Sequence, residues 1–416
     1  MGDLFELSDA ILSGAESIDH HHPFSPSNQL VEATADVAFV ESFANVAAFE
    51  TDDGLCLVDT GSAFAAPAIH AAVRGWSPKR LASAVYTHGH IDHVFGTKVF
   101  EDESADKGWE PATVVAHELV DDRFDRYVLT AGYNSVINQR QFRAPGLQWP
   151  IEYRRADVTY SETLEWDVGG RRFDLHHARG ETDDATWAWV PDQKVICPGD
   201  LIIWCSPNAG NPQKVQRFAR DWAVALREMA ALEPEILLPG HGLPIRGTEN
   251  VRAVLVDTAD LLDHVFHHTL DLMNEGARLD DIVHGLEIPS NLADKPYLQP
   301  IYDEPEFVVR NIWRLYGGWY DGNPARLKPP RDSVLATEVS TLAGGAEALA
   351  ARAAELVEAG DLRLACQLVE WANQAEPDNS KVLGARAEIY AARLASERSL
   401  MARGVFTWAA KETPET

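Results

Sequence analysis

The stretch Thr87-His88-Gly89-His90-Ile91-Asp92-His93 contains three histidines and an aspartate within six residues, directly after an apolar run that ends at Tyr86. Alternate side chains of an extended segment share one face, so His88, His90 and Asp92 are predicted to converge, with His93 at the start of the next helical pattern. Imidazole nitrogens and carboxylates are the ligands that zinc and similar divalent ions prefer. The stretch therefore predicts a metal site that can hold two ions sharing a water. The alternative is a polar loop of solvated histidines, but three of only 15 His in 416 residues fall here.

Strand and helix patterns alternate through the first 246 residues. Helices are predicted at about 63–74 and through 117–141, and strands at 37–40, 45–50, 55–59, 81–86, 113–116, 171–177, 185–190, 194–197 and 235–238. Strands that alternate with helices around a metal loop indicate an αββα sandwich of the α/β class. Helical patterns follow at 247–276, 345–360, 361–375 and 379–398, which predict an all-α C-terminal domain.

The HxHxDH pattern of residues 88–93 resembles the signature of the metallo-β-lactamase superfamily. Common members carry a Gly-His-Thr turn where this chain has Gly180-Glu181-Thr182, and a glutamate here resembles the alkylsulfatase branch. That branch has a second carboxylate nineteen residues further on, which corresponds to Asp200. The turn 238–242 matches the family's last metal histidine with His241.

The resemblance implies a complete site for two zinc ions, with manganese or iron as alternatives. One ion would be held by His88, His90 and Glu181, and the other by Asp92, His93 and His241. Asp200 would bridge them, so that Asp92, Glu181 and Asp200 are the predicted catalytic carboxylates. Asp59 would support the site by contacting a metal ligand without binding an ion itself, and a plain turn-forming role is its alternative.

Two histidine groups offer other interpretations. Glu181 could be a surface residue, with His176 or His177 as the metal ligand in its place. The triplet His20-His21-His22 lies in a polar lead-in that contains Pro and Ser, which favours a solvated loop over a metal site.

The segment RNIWRLYGGWYDGNPARL at residues 310–327 resembles the opening of the alkylsulfatase dimerisation region. The resemblance covers about residues 30–405, and the sterol-carrier-like domain of many alkylsulfatases is expected to be absent. The later Ala-rich helix pairs resemble tetratricopeptide-type hairpins. The predicted domains are a lead-in (1–29), a metallo-β-lactamase-like catalytic domain (30–246), a helical dimerisation segment (247–330) and a helical hairpin domain (331–416).

The predicted substrate pocket departs from the alkylsulfatase pattern. In that branch an asparagine and an arginine after the bridging carboxylate hold the sulfate, and Asn208 has the matching offset. The arginine's position falls at Gln213-Lys214-Val215, with Arg217 one turn further on. Lysine offers a point charge where arginine grips two oxygens, so we expect weak activity on simple primary alkyl sulfates. Tyr133 is a further candidate contact. For Lys214 and Arg217 the alternative is an ordinary solvated helix position.

The composition of the chain limits which classes of partner we expect the protein to bind. The formal net charge of −28 argues against nucleic acid and against an anionic membrane surface. Four cysteines without framework spacing suit a reducing compartment, and the acidic start of the chain does not resemble a secretory signal, so we expect a cytoplasmic protein.

Three functions remain open at this point. The first is hydrolysis of an alkyl sulfate ester or a related small ester by metal-activated water, in a homodimer that acts on an anionic small molecule. The second is hydrolysis of a carboxylic ester, lactone or amide on the same fold. The third is a non-catalytic scaffold built on the helical hairpins, although a scaffold has no need of so many metal ligands.

Overall fold

A computed structural model describes residues 3–411 of the chain, so the extreme ends of the predicted lead-in and of the predicted hairpin domain lie outside the described residues. The chain divides into two compact units. The first contains residues 3–131, 149–277 and 281–316, and the second contains residues 132–148, 278–280 and 317–411. The predicted domain boundaries stay predictions.

Two sheets form the framework of the first unit. The first sheet is ordered β1 to β7, antiparallel as far as β4 and parallel from β4 to β7. Its strands are β1 (Leu30–Thr34), β2 (Val37–Val40), β3 (Val46–Glu50), β4 (Leu55–Val58), β5 (Leu81–Val85), β6 (Thr113–His117) and β7 (Val158–Tyr160). The parallel part brings the carboxyl ends of β4, β5 and β6 to one edge, which is where the histidine stretch begins.

The second sheet has the order β13-β12-β11-β10-β9-β8, with β11 and β12 parallel and the other pairs antiparallel. Its strands are β8 (Thr163–Val168), β9 (Arg171–Ala178), β10 (Ala185–Val190), β11 (Val195–Gly199), β12 (Ile236–Pro239) and β13 (Ile245–Arg246). The strand predictions made from the sequence are therefore confirmed, with ends that differ by one or two residues.

The helices lie in chain order between and after these strands. They are α1 (Leu4–Leu12), α2 (Ala66–Trp76), α3 (Ile91–Val94), α4 (Thr97–Lys107), α5 (Leu119–Leu129), α6 (Ala131–Phe142), α7 (Ala219–Ala231), α8 (Thr248–Asn274), α9 (Leu279–Gly285), α10 (Ser290–Ala293), α11 (Pro305–Gly317), α12 (Asp332–Ala343), α13 (Ala346–Glu358), α14 (Leu362–Ala375), α15 (Ser380–Ala395) and α16 (Leu400–Lys411).

The predicted αββα sandwich is present in the first unit. The two sheets face each other, as the edge-on contact of Phe49 with Phe173 at 5.2 Å between ring centroids shows. Helices α2 and α4 pack on the first sheet, and α7 and α8 pack on the second. Both faces of the inner strands are covered, so β2 and β10 are buried at every residue and consist mainly of apolar side chains.

The stretch 247–276 forms one long helix, α8, which packs along α7. Its apolar stripe is buried, as the periodicity predicts, and consists of Val251, Val254, Leu255, Leu262 and Val265 among others. In the second unit α12 to α16 pack as successive neighbours around small cores that include Ala353, Val369 and Ile389. A glycine at positive φ, Gly360, ends the α13 helix, because residues with a Cβ rarely adopt that conformation.

Candidate metal centre

The histidine stretch leaves β5 at Val85 and turns into the short helix α3. Residues 87–90 form a loop that carries His88 and His90, whereas Asp92 and His93 belong to α3. The prediction that His88, His90 and Asp92 share one extended face is therefore wrong, because the chain becomes helical at Ile91. Asp92 instead joins His93 and His241.

Three overlapping groups of ligand-type atoms form at this edge of the sheets, each within 4.8 Å. They are His88, His93 and Asp200; Asp92, His93 and His241; and His90, Glu181 and Asp200. All seven side chains named from the sequence belong to these groups. Asp200 occurs in two of them, which suits the bridging role predicted for it. The division of the ligands between two ions stays a prediction.

Asp59 orients the ring of His93. Its carboxylate accepts hydrogen bonds from the backbone N–H and the hydroxyl of Thr87, each at 2.7 Å, and lies 2.7 Å from Nδ1 of His93. A carboxylate at Nδ1 leaves the proton there, so the lone pair of Nε2 is free to bind a cation. This is the contact expected of a supporting carboxylate rather than of a plain turn-forming residue.

His241 approaches Asp92 and Asp200 from the second sheet. Its Nδ1 hydrogen-bonds the backbone carbonyl of Phe43, and its Nε2 lies 3.3 Å from Asp200 Oδ1 and 3.6 Å from Asp92 Oδ2. Gly240 makes this approach possible, because a Cβ at that position would come within 2.2 Å of Asp200 Oδ1.

Two buried atoms at the middle of the centre have no hydrogen-bond partner within residues 3–411, namely Nε2 of His93 and Oδ1 of Asp200. They lie 3.3 Å apart. A nitrogen lone pair and a carboxylate oxygen that face each other without a proton repel, unless a cation lies between them or the imidazole is protonated. Burial alone would lower the pKa of His93, but Asp200 and Asp59 outweigh burial and raise that pKa well above its usual value. These two atoms therefore call for positive charge between them, and the donor set fits a divalent ion, which can replace the imidazole proton.

Charge interactions within the centre are strong. Burial alone would raise the pKa of Asp200, but His241 and His93 outweigh burial and hold that pKa well below its usual range. Burial and the neighbouring charge of His93 lower the pKa of His88 to about 3, so its imidazole is neutral. Burial, reinforced by Asp200, raises the pKa of Glu181 well above its usual value. Carboxylates crowded in this way need a compensating positive charge.

Comparison with known proteins identifies the family. Residues 40–241 match the model described as metallo-beta-lactamase superfamily, and residues 278–415 match the model described as alkyl sulfatase dimerisation. The chain joins a metallo-β-lactamase superfamily domain to an alkyl sulfatase dimerisation domain.

Curated relatives of this chain are named alkylsulfatases. It is 27% identical over 355 residues to a linear primary-alkylsulfatase from a Pseudomonas species, across 79% of this chain and 66% of that protein. It is 25% identical over 371 residues to an (R)-specific secondary-alkylsulfatase from Pseudomonas, across 83% of this chain and 56% of that protein. The matches thus span less than two thirds of the length of these relatives.

A solved structure of the stereoselective inverting sec-alkylsulfatase Pisa1 from a Pseudomonas species has the same fold. It superposes with a TM-score of 0.81 at 23% identity, across 93% of this chain and 65% of that chain. The predicted fold class is therefore confirmed. Between residues 3 and 411, no helix has the length and apolarity needed to cross a membrane.

Glu181 of the metallo-β-lactamase domain is buried, so the alternative that made it a surface residue is wrong. The histidines of that alternative are engaged elsewhere. His176 stacks on Trp187 at 4.0 Å, and His177 stacks on His117 at 3.8 Å and hydrogen-bonds the carbonyl of Asp183.

Asn208 and Arg217 meet at Glu181. Asn208 Nδ2 and Arg217 Nη2 both donate to Oε1 of Glu181, the second at 3.3 Å. Arg217 also donates through Nε to the Asn208 carbonyl at 2.7 Å. Both side chains are buried, so the alternative of a solvated helix position is wrong for Arg217.

The surroundings of Lys214 and Tyr133, the other two predicted substrate contacts, differ from those of Asn208 and Arg217. The Lys214 ammonium lies 5.4 Å from the ring of Trp149, and burial together with the charge of Arg217 lowers the pKa of Lys214 to about 7. Tyr133 is on α6, which lies almost wholly in the second unit, and its side chain is exposed. Its role as a substrate contact stays a prediction.

Sequence reasoning missed a support of the metal loop. Asp184 Oδ2 accepts from the backbone N–H of Gly89 at 3.0 Å and from Arg123 Nε at 2.7 Å, and both side chains are buried. In the sequence, only the pair of aspartates shortly after Glu181 could have indicated this support.

The prediction for the histidine triplet is correct for exposed His20, but it is wrong for His22, which packs beside Phe24 and lies 3.4 Å from the carbonyl of Ile301.

Proposed function

We propose that this protein is a metal-dependent hydrolase that cleaves a sulfate ester of a small alcohol. The observation that carries the proposal is the arrangement of seven ligand-type side chains, all buried except the partly buried His90 and Asp92, with Asn208 and Arg217 hydrogen-bonded to Glu181. The names of the relatives support a sulfate ester in particular. A scaffold would not require buried carboxylates and imidazoles at such a cost in desolvation.

The seven side chains would hold two divalent ions, for which zinc is the first choice and manganese or iron the alternatives. Asp92, Glu181 and Asp200 as carboxylates against two divalent ions leave a net charge of about +1. When bound, the ions would supply Lewis acidity and an activated water for hydrolysis. Asp59 keeps His93 in the tautomer that binds, and Asp184 keeps the loop of His88 and His90 in position through Gly89.

Arg217 and Asn208 would bind the sulfate group. The sequence offset pointed to Lys214 as the cation, but the guanidinium that reaches the centre belongs to Arg217, whose Nη2 lies 3.3 Å from Glu181 Oε1. The reason given for weak activity on simple primary alkyl sulfates, the lack of an arginine, therefore does not hold. A guanidinium and an amide present several N–H donors in a fixed geometry, which suits a tetrahedral anion. As the bond to the ester oxygen breaks, these donors would stabilise the charge that develops on the departing sulfate. Lys214 would add charge only when protonated.

A second candidate is hydrolysis of a carboxylic ester, lactone or amide, and Lys214 is the observation that favours it. An amine with a pKa of about 7 is neutral in about half of the molecules at neutral pH. It can therefore act as a proton donor or acceptor toward a carbonyl substrate, which a permanent cation cannot do.

Turnover of a sulfate ester or of a carboxylic ester separates the two candidates, and reaction in ¹⁸O-labelled water shows which atom is attacked in the substrate that reacts. If water attacks the carbon of an alkyl sulfate, the label appears in the alcohol, and if it attacks a carbonyl, the label appears in the carboxylate. The experiment uses protein reconstituted with zinc, with metal content measured alongside. Failure to hydrolyse any sulfate ester, together with turnover of carboxylic esters, would move the assignment to the second candidate.

We also propose a homodimer and a cytoplasmic location. The second unit exposes large apolar side chains, among them Trp319 at 69% and Leu342 at 80%, and its family model is named for dimerisation. Exposed apolar surface of this kind is typical of an interface. A mass near 45.9 kDa by light scattering at micromolar concentration would contradict the dimer. All four cysteines are free thiols, which supports a reducing compartment.

A further inference from the structure

The N-terminal segment 17–29 lies against the metal centre. The ring of Phe24 stands 4.5 Å from the ring of His241, between centroids. The Nε2 atom of that imidazole faces Asp200 and Asp92 at 3.3 and 3.6 Å. A molecule that reacts at this side of the centre therefore comes within one ring width of Phe24.

Phe24 belongs to a cluster of rings that also contains His22, Phe43, Tyr302 and His241. Its centroid is 4.4 Å from that of Tyr302 and 5.6 Å from that of Phe43, and Phe43 is 5.7 Å from His241 in an edge-on arrangement. Tyr302 and His241 are buried, whereas Phe24 and Phe43 are only partly buried. The two phenylalanines are thus the members of the cluster that still have apolar surface to offer a ligand.

The segment is held firmly enough to act as a wall. His22 lies 3.4 Å from the Ile301 carbonyl through Nε2, and its Nδ1 accepts from the backbone N–H of Phe24 at 3.2 Å. Further along, the backbone N–H of Ser27 donates to Glu41 at 3.0 Å. Residue 24 also precedes residue 40, where the metallo-β-lactamase family match begins. Phe24 therefore lies outside the residues that match the metallo-β-lactamase model.

We infer that Phe24 and Phe43 form the surface that binds the organic group of the substrate, and that Phe24 limits the width of that group next to the reacting bond. The inference rests on the proposed function in that the metal centre is the site of reaction. Apolar contact with two ring faces favours an apolar alcohol portion. A ring this close to a metal ligand would collide with a wide group at the first carbon, so Phe24 would select among alcohols by their width at that carbon.

The test compares hexyl and cyclohexyl esters, which have the same number of carbons and differ in width. Both are assayed as sulfates and as acetates, with zinc-loaded wild type, Phe24→Ala and Phe24→Leu. In Phe24→Ala we expect KM for the hexyl ester to rise about fivefold. The ratio of kcat/KM for cyclohexyl over hexyl should rise about tenfold, because removal of the ring opens space for the branch. Phe24→Leu should give a ratio between that of the wild type and that of Phe24→Ala. Phe64→Ala is the control and should match the wild type, because Phe64 is 81% exposed.

The acetates keep this test separate from the choice of ester. If no sulfate is hydrolysed, the proposed sulfatase activity fails, while the acetate ratio still tests Phe24. Calorimetric binding of hexanoate and cyclohexanecarboxylate gives a ratio of dissociation constants for a narrow and a wide apolar group without turnover. A ratio within twofold of the wild type in both Phe24 variants, or loss of zinc from both, would overturn the inference, since Phe24 would then only support His241.

Discussion

Replacement of Asp59 by asparagine should weaken metal binding without disturbing the backbone. Asp59 has a φ of 58°, in the left-handed region that asparagine tolerates better than most residues. Its carboxylate now accepts from Thr87 N–H and from Thr87 Oγ1, and it faces His93 Nδ1, all at 2.7 Å. An amide can present only one oxygen to these partners.

The magnitude follows from the orientation of that amide. If its oxygen stays on the Thr87 N–H, its NH₂ group faces His93 Nδ1 and favours the tautomer with the proton on Nε2, which cannot bind an ion. If the amide flips, two N–H donors oppose each other at Thr87. Loss of such a supporting partner lowers metal affinity about 10- to 100-fold, which corresponds to about 1.4–2.7 kcal/mol.

The assay is competition for zinc with a chromophoric chelator, read together with kcat/KM. The variant should release one ion more readily than the wild type and lose activity in proportion to the zinc it lacks, so that excess zinc restores much of the rate. Asp102→Asn is the matched control, because Asp102 lies in an exposed surface pair with Lys98. Zinc affinity within twofold of the wild type in Asp59→Asn would refute the argument about the tautomer.

Three further predictions concern the centre and its neighbours. His90→Ala should bind one ion fewer and lose nearly all activity, and elemental analysis after zinc reconstitution that shows two ions would contradict this. Arg217→Lys should lower kcat/KM for sulfate esters about 10- to 100-fold, because the planar donor set is lost, while its effect on carboxylic esters should be several-fold smaller. Since the pKa of Lys214 is about 7, its positive charge is lost as pH rises through 7. If that charge helps to bind sulfate esters, kcat/KM for sulfates should fall over that range in the wild type. In Lys214→Arg, kcat/KM should stay level. A wild-type profile that does not change between pH 6 and 8, measured as kcat/KM with zinc content held constant, would exclude this role for Lys214.

The sequence by itself determined most of the strands, the long helix α8 and the identities of the candidate ligands. The strands and the apolar stripe of α8 could be recognised in the sequence, because both are patterns of local spacing. The spacing of Glu181 and Asp200 matched the alkylsulfatase pattern and named two candidate ligands that are far from the histidine stretch in the chain. Local spacing could also show that the region after residue 246 is helical.

Only the tertiary structure decided how those residues meet. The start of α3 at Ile91 separates Asp92 from the extended face of His88, since a helix turns each residue by about 100° where a strand alternates. Lys214 and Arg217 are close in sequence, and only the packing of the chain after Asn208 determined which of them reaches Glu181. Phe24 and Asp184 act through contacts with His241 and Gly89, residues far away along the chain. Contacts of that kind depend on how the two sheets and the N-terminal segment pack together, and no local periodicity encodes them.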